Sequence, residues 1–228
     1  MTSVFEILSS DHADLPDDHS KLELKQARRA LAVLKNVIGP EQMLDLLSDR
    51  LDEGNAFWRK VLQSSDGELV PAIAEFRVKG LSAMEFSQWF KNALSISDKL
   101  IAANPEHYRI YWAVSPSENP DGFGTMSVTE ALGGVLTKFN IHFGGPELAY
   151  LPLDPDFPQK VLGSLRLEDG SEIGRLMHQF RDCEGGMIAK FCILLPKGVP
   201  ERVVTEHSEH LIVEWANWFE SAVAELKS

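Results

Sequence analysis

The chain has 228 residues, 44% hydrophobic and 25% charged, which is the composition of a soluble globular protein long enough to bury a substantial core. Its formal net charge of -12 argues against nucleic acid and anionic membranes as partners, because phosphate binding needs concentrated Lys and Arg. No apolar run approaches the roughly 18 residues of a membrane span, and the first residues lack the basic and apolar regions of a signal peptide. Cys183 and Cys192 are the two cysteines, so reduced thiols and a cytoplasmic location are expected.

The N-terminal part of the chain is predicted to be a tail followed by helices. Residues 1–20 are polar and acidic, and we expect them to form a loose tail. Leucine and alanine at helical spacing predict a helix over 21–38, and the Gly-Pro pair after it ends this helix and begins a second one over 40–63. Gly54 is a candidate break in the second helix. The two helices form the predicted N-terminal helical hairpin, residues 21–65.

After this hairpin the hydrophobic period changes from helical to alternating. Residues 68–78 are predicted to form a strand, and residues 80–105 a helix in which Ser82 is a candidate N-cap with Glu85 at capping-box spacing. A closing helix begins near Thr205. Five more strands are predicted between these helices, in the segments HYRIYWAV, GTMSVTEAL, GVLTKFNIHF, EIGRLMHQFRD and MIAKFCILLP.

This order of elements predicts an α+β domain over residues 66–228. Consecutive antiparallel strands followed by one long helix suggest a curved sheet that grips the C-terminal helix, with a cavity between them. Concave spaces of this kind are common sites for small molecules. The candidate functional residues are therefore the polar side chains that the helix and the strands would direct into the cavity.

The closing helix combines an apolar stripe with three side chains that can bind a metal. At about 100° per residue, His207, His210 and Glu214 fall within about 60° of one another. Because residues at i and i+4 are neighbours on a helix, His210 and Glu214 can reach one point, and an imidazole with a carboxylate is half of a site for Zn²⁺ or a similar ion. The same pair can also form a hydrogen bond on the helix surface, and the spacing leaves both interpretations open.

Two strands supply further candidates through their period of two. Glu130 shares a strand face with apolar neighbours on both sides, and buried carboxylates are rare unless they are paired or coordinated. His178 shares a face with Leu176 and Phe180. The alternatives are that Glu130 faces water and that His178 is a hydrogen-bonded core residue. His107 begins its strand and can face either way.

The segments GLSAMEFSQWF, HYRIYW and LMHQFRDCEGGM, followed by a closing helix with an HxxxE pair, occur in an order that resembles the diacetylphloroglucinol hydrolase and phloretin hydrolase family. The resemblance covers roughly residues 68–220. It implies a Bet v 1-like helix-grip domain. It also implies a zinc ion bound by two His and two Glu, and hydrolysis of a carbon–carbon bond of an acylated phenol.

The resemblance further implies which residues bind the metal. The closing His-x-x-x-Glu pair corresponds to His210 and Glu214, and the strand glutamate of the family corresponds to Glu130. The remaining histidine of the family would stand at Asn92 or Ala93, where this chain has none. The sequence therefore offers three of the four implied ligands at the expected places.

His107, His178 or water are the candidates for the fourth ligand. If the protein is an enzyme, zinc would polarise a carbonyl and activate water, and His178 would transfer protons because imidazole titrates near neutrality. Trp89, Tyr108 and Trp112 would stack on the ring of the substrate. These roles follow from the resemblance and define the expected catalytic site.

The preferred expectation is a metal-dependent hydrolase-like protein with a small aromatic or acyl-phenol ligand, and whether it catalyses a reaction is left open. A second hypothesis is a non-catalytic helix-grip protein that binds a lipid or an aromatic metabolite beside a vestigial metal site. A third is a helical interaction protein that forms a homodimer through residues 21–63. The sequence contains no nucleophile elbow, phosphate-binding loop or dinucleotide fingerprint that would point to other chemistry.

Overall fold

The structure is a computed structural model that describes residues 19–227. The chain divides into two compact units, of which the first ends at Gly39 and the second begins at Pro40. In the first unit, helix α1 spans Ser20–Ile38 and ends at Gly39, whose φ of 75° is in the left-handed region and whose N–H donates to the carbonyl of Lys35. Most of the acidic tail that was predicted over 1–20 lies outside the described residues.

The second unit, described over residues 40–227, consists of one antiparallel sheet with helices before, within and after it. Its elements are, in chain order, α2 Pro40–Leu46, α3 Ser48–Gln63, β1 Leu69–Lys79, α4 Ala83–Ala93, α5 Ser97–Ala103, β2 His107–Val114, β3 Thr125–Leu132, β4 Val135–Phe143, a short 3-10 helix Pro146–Leu148, β5 Gln159–Arg166, β6 Glu172–Cys183, β7 Gly186–Pro196 and α6 Glu201–Leu226.

The seven strands form a single sheet in the order β1-β7-β6-β5-β4-β3-β2. The strands from β2 to β7 therefore follow one another as a meander, and α4 and α5 connect the two edge strands β1 and β2. The long helix α6 packs its buried face into the core that the sheet surrounds. The α+β prediction of a curved antiparallel sheet that grips a long C-terminal helix is confirmed.

Helix α6 is held against the sheet by aromatic packing and by a close turn. Trp215 stacks on Phe191 of β7, with ring centroids 3.7 Å apart and planes 14° from parallel. In the turn between β3 and β4, Gly133 has a φ of 60°, and a Cβ there would lie 2.4 Å from the carbonyl oxygen of Val203. The turn can therefore touch the first turns of α6 only because it lacks a side chain at this position.

The segment predicted as one helix over 80–105 is two helices. Ser82 caps α4 as predicted, since its hydroxyl accepts the N–H of Glu85 and the Glu85 carboxylate accepts the N–H of Ser82. Helix α4 ends at Ala93 and α5 begins at Ser97, with Ile96 extended between them. Ser and the β-branched Ile have low helix propensity, which favours a break at this point.

Helix α3 runs through Gly54 without interruption, so the break predicted at this glycine is wrong. The interruption lies at Leu47, between α2 and α3. Gly54 instead allows α3 to approach β4, because a Cβ there would lie 2.0 Å from the carbonyl oxygen of Leu136. One turn later the fully buried Trp58 donates from Nε1 to the hydroxyl of Thr137 at 2.8 Å. Helix α3 is thus packed on the sheet, while the predicted hairpin boundary at residue 65 stays a prediction.

Strand β5 was not predicted from the sequence. It pairs with β4 on one side and β6 on the other. Its sequence, QKVLGSLR, interrupts the hydrophobic alternation with Gly163 and Ser164. Gly163 lies against Ile141, because a Cβ there would come within 2.8 Å of a methyl group of that side chain. The glycine that weakens the strand pattern therefore makes room for a neighbouring core residue.

The composition predicts that no segment spans a membrane and that the two cysteines are reduced. Among residues 19–227, no helix combines the length and the apolar character needed to cross a membrane. Cys183 and Cys192 are both free thiols. Burial raises the pKa of the Cys192 thiol to about 11, so this cysteine is protonated at neutral pH.

We expect Gly54→Ala to destabilise the protein by about 1–3 kcal/mol, because the new methyl group meets the backbone carbonyl of Leu136. A loss of stability would be informative, because a Gly→Ala change inside a helix with free space around it stabilises the helix by roughly 1 kcal/mol. Urea unfolding at equilibrium measures the difference. The exposed Asp52 of the same helix provides the control, and Asp52→Ala should change stability by less than about 0.5 kcal/mol. A stabilised Gly54→Ala protein would show that α3 does not contact β4 here.

Candidate functional site

Strand β3 directs Glu130 onto the concave face of the sheet. Met126, Val128 and Leu132 share that face, and all four side chains are buried and line the same cavity. Glu130 itself is 8% exposed. The inward orientation that the period of two predicts is therefore observed, and the alternative in which Glu130 faces water is not.

A β-bulge brings His107 to the same face. The register between β2 and β3 shifts by one residue immediately after the pair His107–Glu130, so that Tyr108 is an extra residue in β2. The bulge moves the alternation of β2 by one position, and both His107 and Ile110 are consequently buried. His107 is 0% exposed and lies directly across from Glu130.

Helix α6 supplies the other half of the site. His210 is 4% exposed, and the Glu214 side chain, one turn further along, retains 21% exposure. Nε2 of His107 lies 3.1 Å from Nε2 of His210 and 3.7 Å from a carboxylate oxygen of Glu214. A carboxylate oxygen of Glu130 lies 3.5 Å from Nε2 of His107 and 4.0 Å from Nε2 of His210. We call these four residues the His/Glu cluster.

Hydrogen bonds on the far side of each imidazole orient the two histidines. Nδ1 of His107 lies 2.6 Å from the carbonyl oxygen of Leu100, and Nδ1 of His210 lies 3.1 Å from the carboxylate of Glu106. A carbonyl and a carboxylate accept hydrogen bonds, so both Nδ1 atoms carry the proton when the imidazoles are neutral. Both Nε2 atoms then present lone pairs to each other and to two carboxylates.

Two asparagines fix the connection between α5 and β2 to helix α6. The buried Asn104 donates from Nδ2 to the carbonyl of His210 at 3.2 Å and accepts the N–H of Glu106 at 2.9 Å. Asn217 donates to the carbonyl of Ala103 at 2.7 Å. These bonds hold the start of β2 against α6, and this arrangement sets the distance between the two halves of the cluster.

The cluster concentrates acidic charge in a buried place. Burial raises the pKa of Glu130 to about 7, and it also raises the pKa of Glu214. Burial lowers the pKa of His210. The carboxylate of Glu130 and the hydrogen bond to Glu106 together raise it by more than burial lowers it, and the resulting pKa is about 9. Burial thus favours the neutral form of the two carboxyl groups, whereas the neighbouring carboxylates favour the protonated form of His210.

The donors of the cluster fit a divalent cation such as Zn²⁺. His107, Glu130 and His210 each offer a ligand atom, and these atoms lie within 4.8 Å of one another. Ligand distances of about 2.0–2.2 Å in a tetrahedral zinc site place neighbouring ligand atoms about 3.3–3.6 Å apart. The separations of 3.1 Å between the imidazoles, and of 3.5 and 3.7 Å from His107 to the carboxylates, are close to this range, and the 4.0 Å between His210 and Glu130 is wider. Two imidazoles and two carboxylates are also ligands that zinc accepts.

The cluster reaches a cavity of about 90 Å³ between the sheet and α6 through its two carboxyl groups, whereas His107 and His210 do not line this cavity. Glu130 and Glu214 line this cavity together with two other histidines, His178 and His207. The remaining lining side chains are apolar and come from α4 and its C-terminal extension, α5, α6 and all strands from β2 to β7. The cavity is therefore a mainly apolar chamber with one acidic and imidazole-rich wall.

His178 faces the cavity, as the alternation of β6 predicts, but it lies apart from the cluster. Its Nδ1 accepts the backbone N–H of Cys192 at 3.3 Å, and the rings of Phe191 and Trp215 pack edge-on against it at 5.1 Å. Burial lowers the pKa of His178 to about 3, so the imidazole is neutral at pH 7. The place beside the three predicted ligands is taken by His107, and a role of His178 in proton transfer stays a prediction.

The three aromatic residues predicted to stack on a substrate do not line the cavity. Trp89 donates from Nε1 to the carboxylate of Glu225 at 3.0 Å. Trp112 packs against the ring of Phe143, with ring centroids 5.6 Å apart. Tyr108 is the bulged residue and lies half-buried on the other side of β2. The aromatic residues that do line the cavity are Phe90, Phe139, Phe143, Trp215 and Trp218.

The end of α4, where the resemblance places a histidine, contributes nothing to the cluster. Asn92 is exposed, and Ala93 is buried in the core. His107 reaches the cluster from β2 instead. Glu106, which orients His210, was not predicted from the sequence. Its position directly before His107, in the phrase NPEH, is the signal that could have indicated it.

Comparisons with known proteins give no family assignment. No protein-family model and no curated protein matches the sequence. A solved START superfamily protein from Mycobacterium smegmatis is 15% identical, with a TM-score of 0.41 over 70% of this chain and 99% of that chain.

Two other solved structures resemble the chain to a comparable degree. A second protein of Mycobacterium smegmatis is 15% identical, with a TM-score of 0.36 over 72% of this chain and 93% of that one. An uncharacterised protein from Rhizobium leguminosarum is 12% identical, with a TM-score of 0.37 over 68% of this chain and 95% of that one. Similarity at this level leaves the function to be inferred from the site itself.

We expect His178→Gln to make the protein less sensitive to acid. The folded-state pKa of His178, about 3, lies below the ordinary value of 6.5, so its contribution to stability is present above pH 6.5 and is lost as the pH falls. The loss amounts to at most about 1.4 kcal/mol per pH unit. Glutamine keeps an acceptor for the Cys192 N–H but does not titrate.

Urea unfolding between pH 7 and pH 4 measures this effect. The free energy of unfolding should fall less steeply with pH in His178→Gln than in the unchanged protein. Met84→Gln, at an exposed position without a titratable group, serves as the control and should leave the slope unaltered. Equal slopes in all three proteins would mean that His178 is not held in its neutral form.

Proposed function

We propose that this protein is a zinc-dependent hydrolase-like protein that acts on a small aromatic or acyl-phenol ligand, with hydrolysis of a carbon–carbon bond, in the cavity between sheet and α6. The observation that supports the proposal is the convergence of His107, Glu130 and His210, whose ligand atoms lie within 4.8 Å of one another, with Glu214 3.7 Å from His107. Glu130 and Glu214 connect this cluster to the cavity, which they line. This set has the two histidines and two glutamates implied by the resemblance to the diacetylphloroglucinol hydrolase and phloretin hydrolase family. His107 comes from β2 rather than from the end of α4.

The surroundings of the cluster suit it to bind a metal. His107 and His210 would bind through Nε2, and Glu130 and Glu214 through their carboxylates. The Leu100 carbonyl and the Glu106 carboxylate hold the opposite nitrogens, an arrangement that fixes the tautomer and the ring orientation of metal-binding histidines. A bound zinc ion would polarise a ligand carbonyl and lower the pKa of a water molecule.

The other side chains of the cavity would position the ligand and handle protons. The net reaction adds the oxygen of water to the acyl carbon, and the ring carbon receives a proton as the bond between them breaks. Phe90, Trp215 and Trp218 offer aromatic contacts to the ring, and the apolar walls exclude bulk water. Because Nδ1 of His178 accepts from Cys192, a neutral His178 carries its proton on Nε2, the atom through which it would exchange protons.

A second candidate function is binding of an aromatic metabolite without catalysis. It is favoured by the mainly apolar lining of the cavity. The cavity volume of about 90 Å³ is less than the roughly 150 Å³ of an apolar protein cavity that holds benzene, so the walls would have to move to admit either ligand, and further for an acylated phenol. Product formation, rather than binding, separates the two candidates.

Zinc binding is expected to depend on the cluster and on Glu106. We expect metal-stripped protein without a histidine tag to bind one Zn²⁺, measured by calorimetric titration. His210→Ala and His107→Ala remove ligands and should weaken binding by at least about 100-fold, whereas Glu106→Gln should weaken it by about 10–100-fold because Glu106 orients His210.

The control for this titration is His142→Ala. His142 lies on β4 next to Thr125, outside the cluster, and its removal should leave zinc affinity unchanged. If neither the unchanged protein nor any variant binds Zn²⁺, or if His142→Ala and His210→Ala weaken binding equally, the proposed metal site is wrong.

Hydrolysis should require both the metal and the cluster. With an acylated phenol as substrate, we expect zinc-loaded protein to release the phenol and the carboxylic acid in equal amounts, followed by chromatography. Chelation should abolish the reaction, and zinc should restore it. Zinc-loaded His142→Ala should retain activity, and His210→Ala should lose at least about 100-fold of it. Zinc and substrate binding without product would favour the non-catalytic function.

A further inference from the structure

Two buried polar side chains of α6 have no hydrogen-bond partner within the described part of the chain. They are His207, at both ring nitrogens, and Trp215, at Nε1, and each residue is 2% exposed. Both residues line the cavity. Leaving a buried polar group unsatisfied destabilises the folded protein, so native proteins seldom contain such a group without a functional reason.

His207 does not belong to the His/Glu cluster. Its ring stacks on that of His210, with centroids 5.4 Å apart, and it is not among the residues whose ligand atoms converge. A neutral imidazole has one N–H donor and one acceptor nitrogen, and this pair is what a hydroxyl group can satisfy.

Trp215 offers a donor at another place along the cavity. Eight residues separate it from His207, which corresponds to about 12 Å along the axis of α6. His207 lies next to His210 of the cluster, whereas the Trp215 ring is in contact with His178 and Phe191. The two unpartnered side chains therefore mark two different ends of an otherwise mainly apolar chamber.

We propose that His207 and Trp215 are the polar anchors of the cavity and that its ligand is a small, uncharged, single-ring molecule with oxygen groups on opposite sides of the ring. His207 would exchange hydrogen bonds with a hydroxyl near the cluster, and the Trp215 N–H would donate to a hydroxyl or carbonyl oxygen near His178. The cavity of about 90 Å³ is smaller than the roughly 150 Å³ of a cavity that holds benzene, so its walls must move to admit even one ring, and a ligand with more than one ring is excluded. This inference rests on the proposed function for the location of the ligand, but it does not require zinc.

Three probes of nearly equal size test the proposal: 1,4-dihydroxybenzene, 4-methylphenol and 1,4-dimethylbenzene. Calorimetric titration of the metal-stripped and the zinc-loaded protein should show affinity rising at least about 10-fold for each hydroxyl group, because a site built for a hydroxyl discriminates against the analogue that lacks it. His207→Phe and Trp215→Phe should each remove one of the two steps and leave the affinity for 1,4-dimethylbenzene within about 3-fold. Phenylalanine retains an aromatic ring at each place.

Two controls separate recognition from packing. Leu211→Met, on the same face of α6, alters the wall without changing its polarity and should shift the affinities of all three probes equally. His207→Phe removes an unsatisfied buried group, so the ligand-free variant should melt at the same or a higher temperature. A lower melting temperature together with an equal loss of affinity for all three probes would show that His207 only fills space.

The outcomes also distinguish this inference from the proposed function. Equal binding of the three probes, or no binding of any of them, overturns the inference even if zinc binds as expected. Loss of zinc binding with the hydroxyl preference retained overturns the zinc-dependent function and leaves the anchors in place.

Discussion

The structure depends most on an electrostatic constraint, which is that two imidazole nitrogens face each other at 3.1 Å beside two buried carboxylates. Without protons, these four groups are electron-pair donors that repel one another, so protons or a cation must lie among them. Two features of the fold produce this arrangement. The bulge at Tyr108 turns His107 inward, and Asn104 ties the beginning of β2 to the backbone of His210.

The residues of the site that could be predicted from the sequence are those placed by the regular periods of a strand or a helix. Glu130 faces inward because β3 alternates without interruption, and His210 and Glu214 converge because α6 is a regular helix at that point. His107 could be named only as an alternative, since its orientation depends on a bulge created by the pairing of β2 with β3. Local sequence does not encode such a shift of register, which is decided by tertiary packing.

The incorrect predictions of secondary structure also arise because tertiary contacts decide features that the local sequence does not show. Gly54 and the glycine in β5 weaken local helix and strand signals, yet each is required where another part of the chain approaches closely. The predicted aromatic residues lie outside the cavity lining for a related reason, because Trp89 and Phe90 are adjacent on α4 and only contacts with α6 decide which of them faces the cavity. Spacing along one helix identifies its buried face but not the neighbours against which that face packs.

The placement of the cluster within the chain has a mechanical consequence. His107 lies on β2, an edge strand with a single neighbour in the sheet, and Glu214 lies near the end of the chain. An ion held by both would close a loop of about 100 residues and act as a removable cross-link between the free edge of the sheet and the last helix. Closing a long loop lowers the entropy of the unfolded chain, so the ion would hold the cavity shut as well as furnish its chemistry.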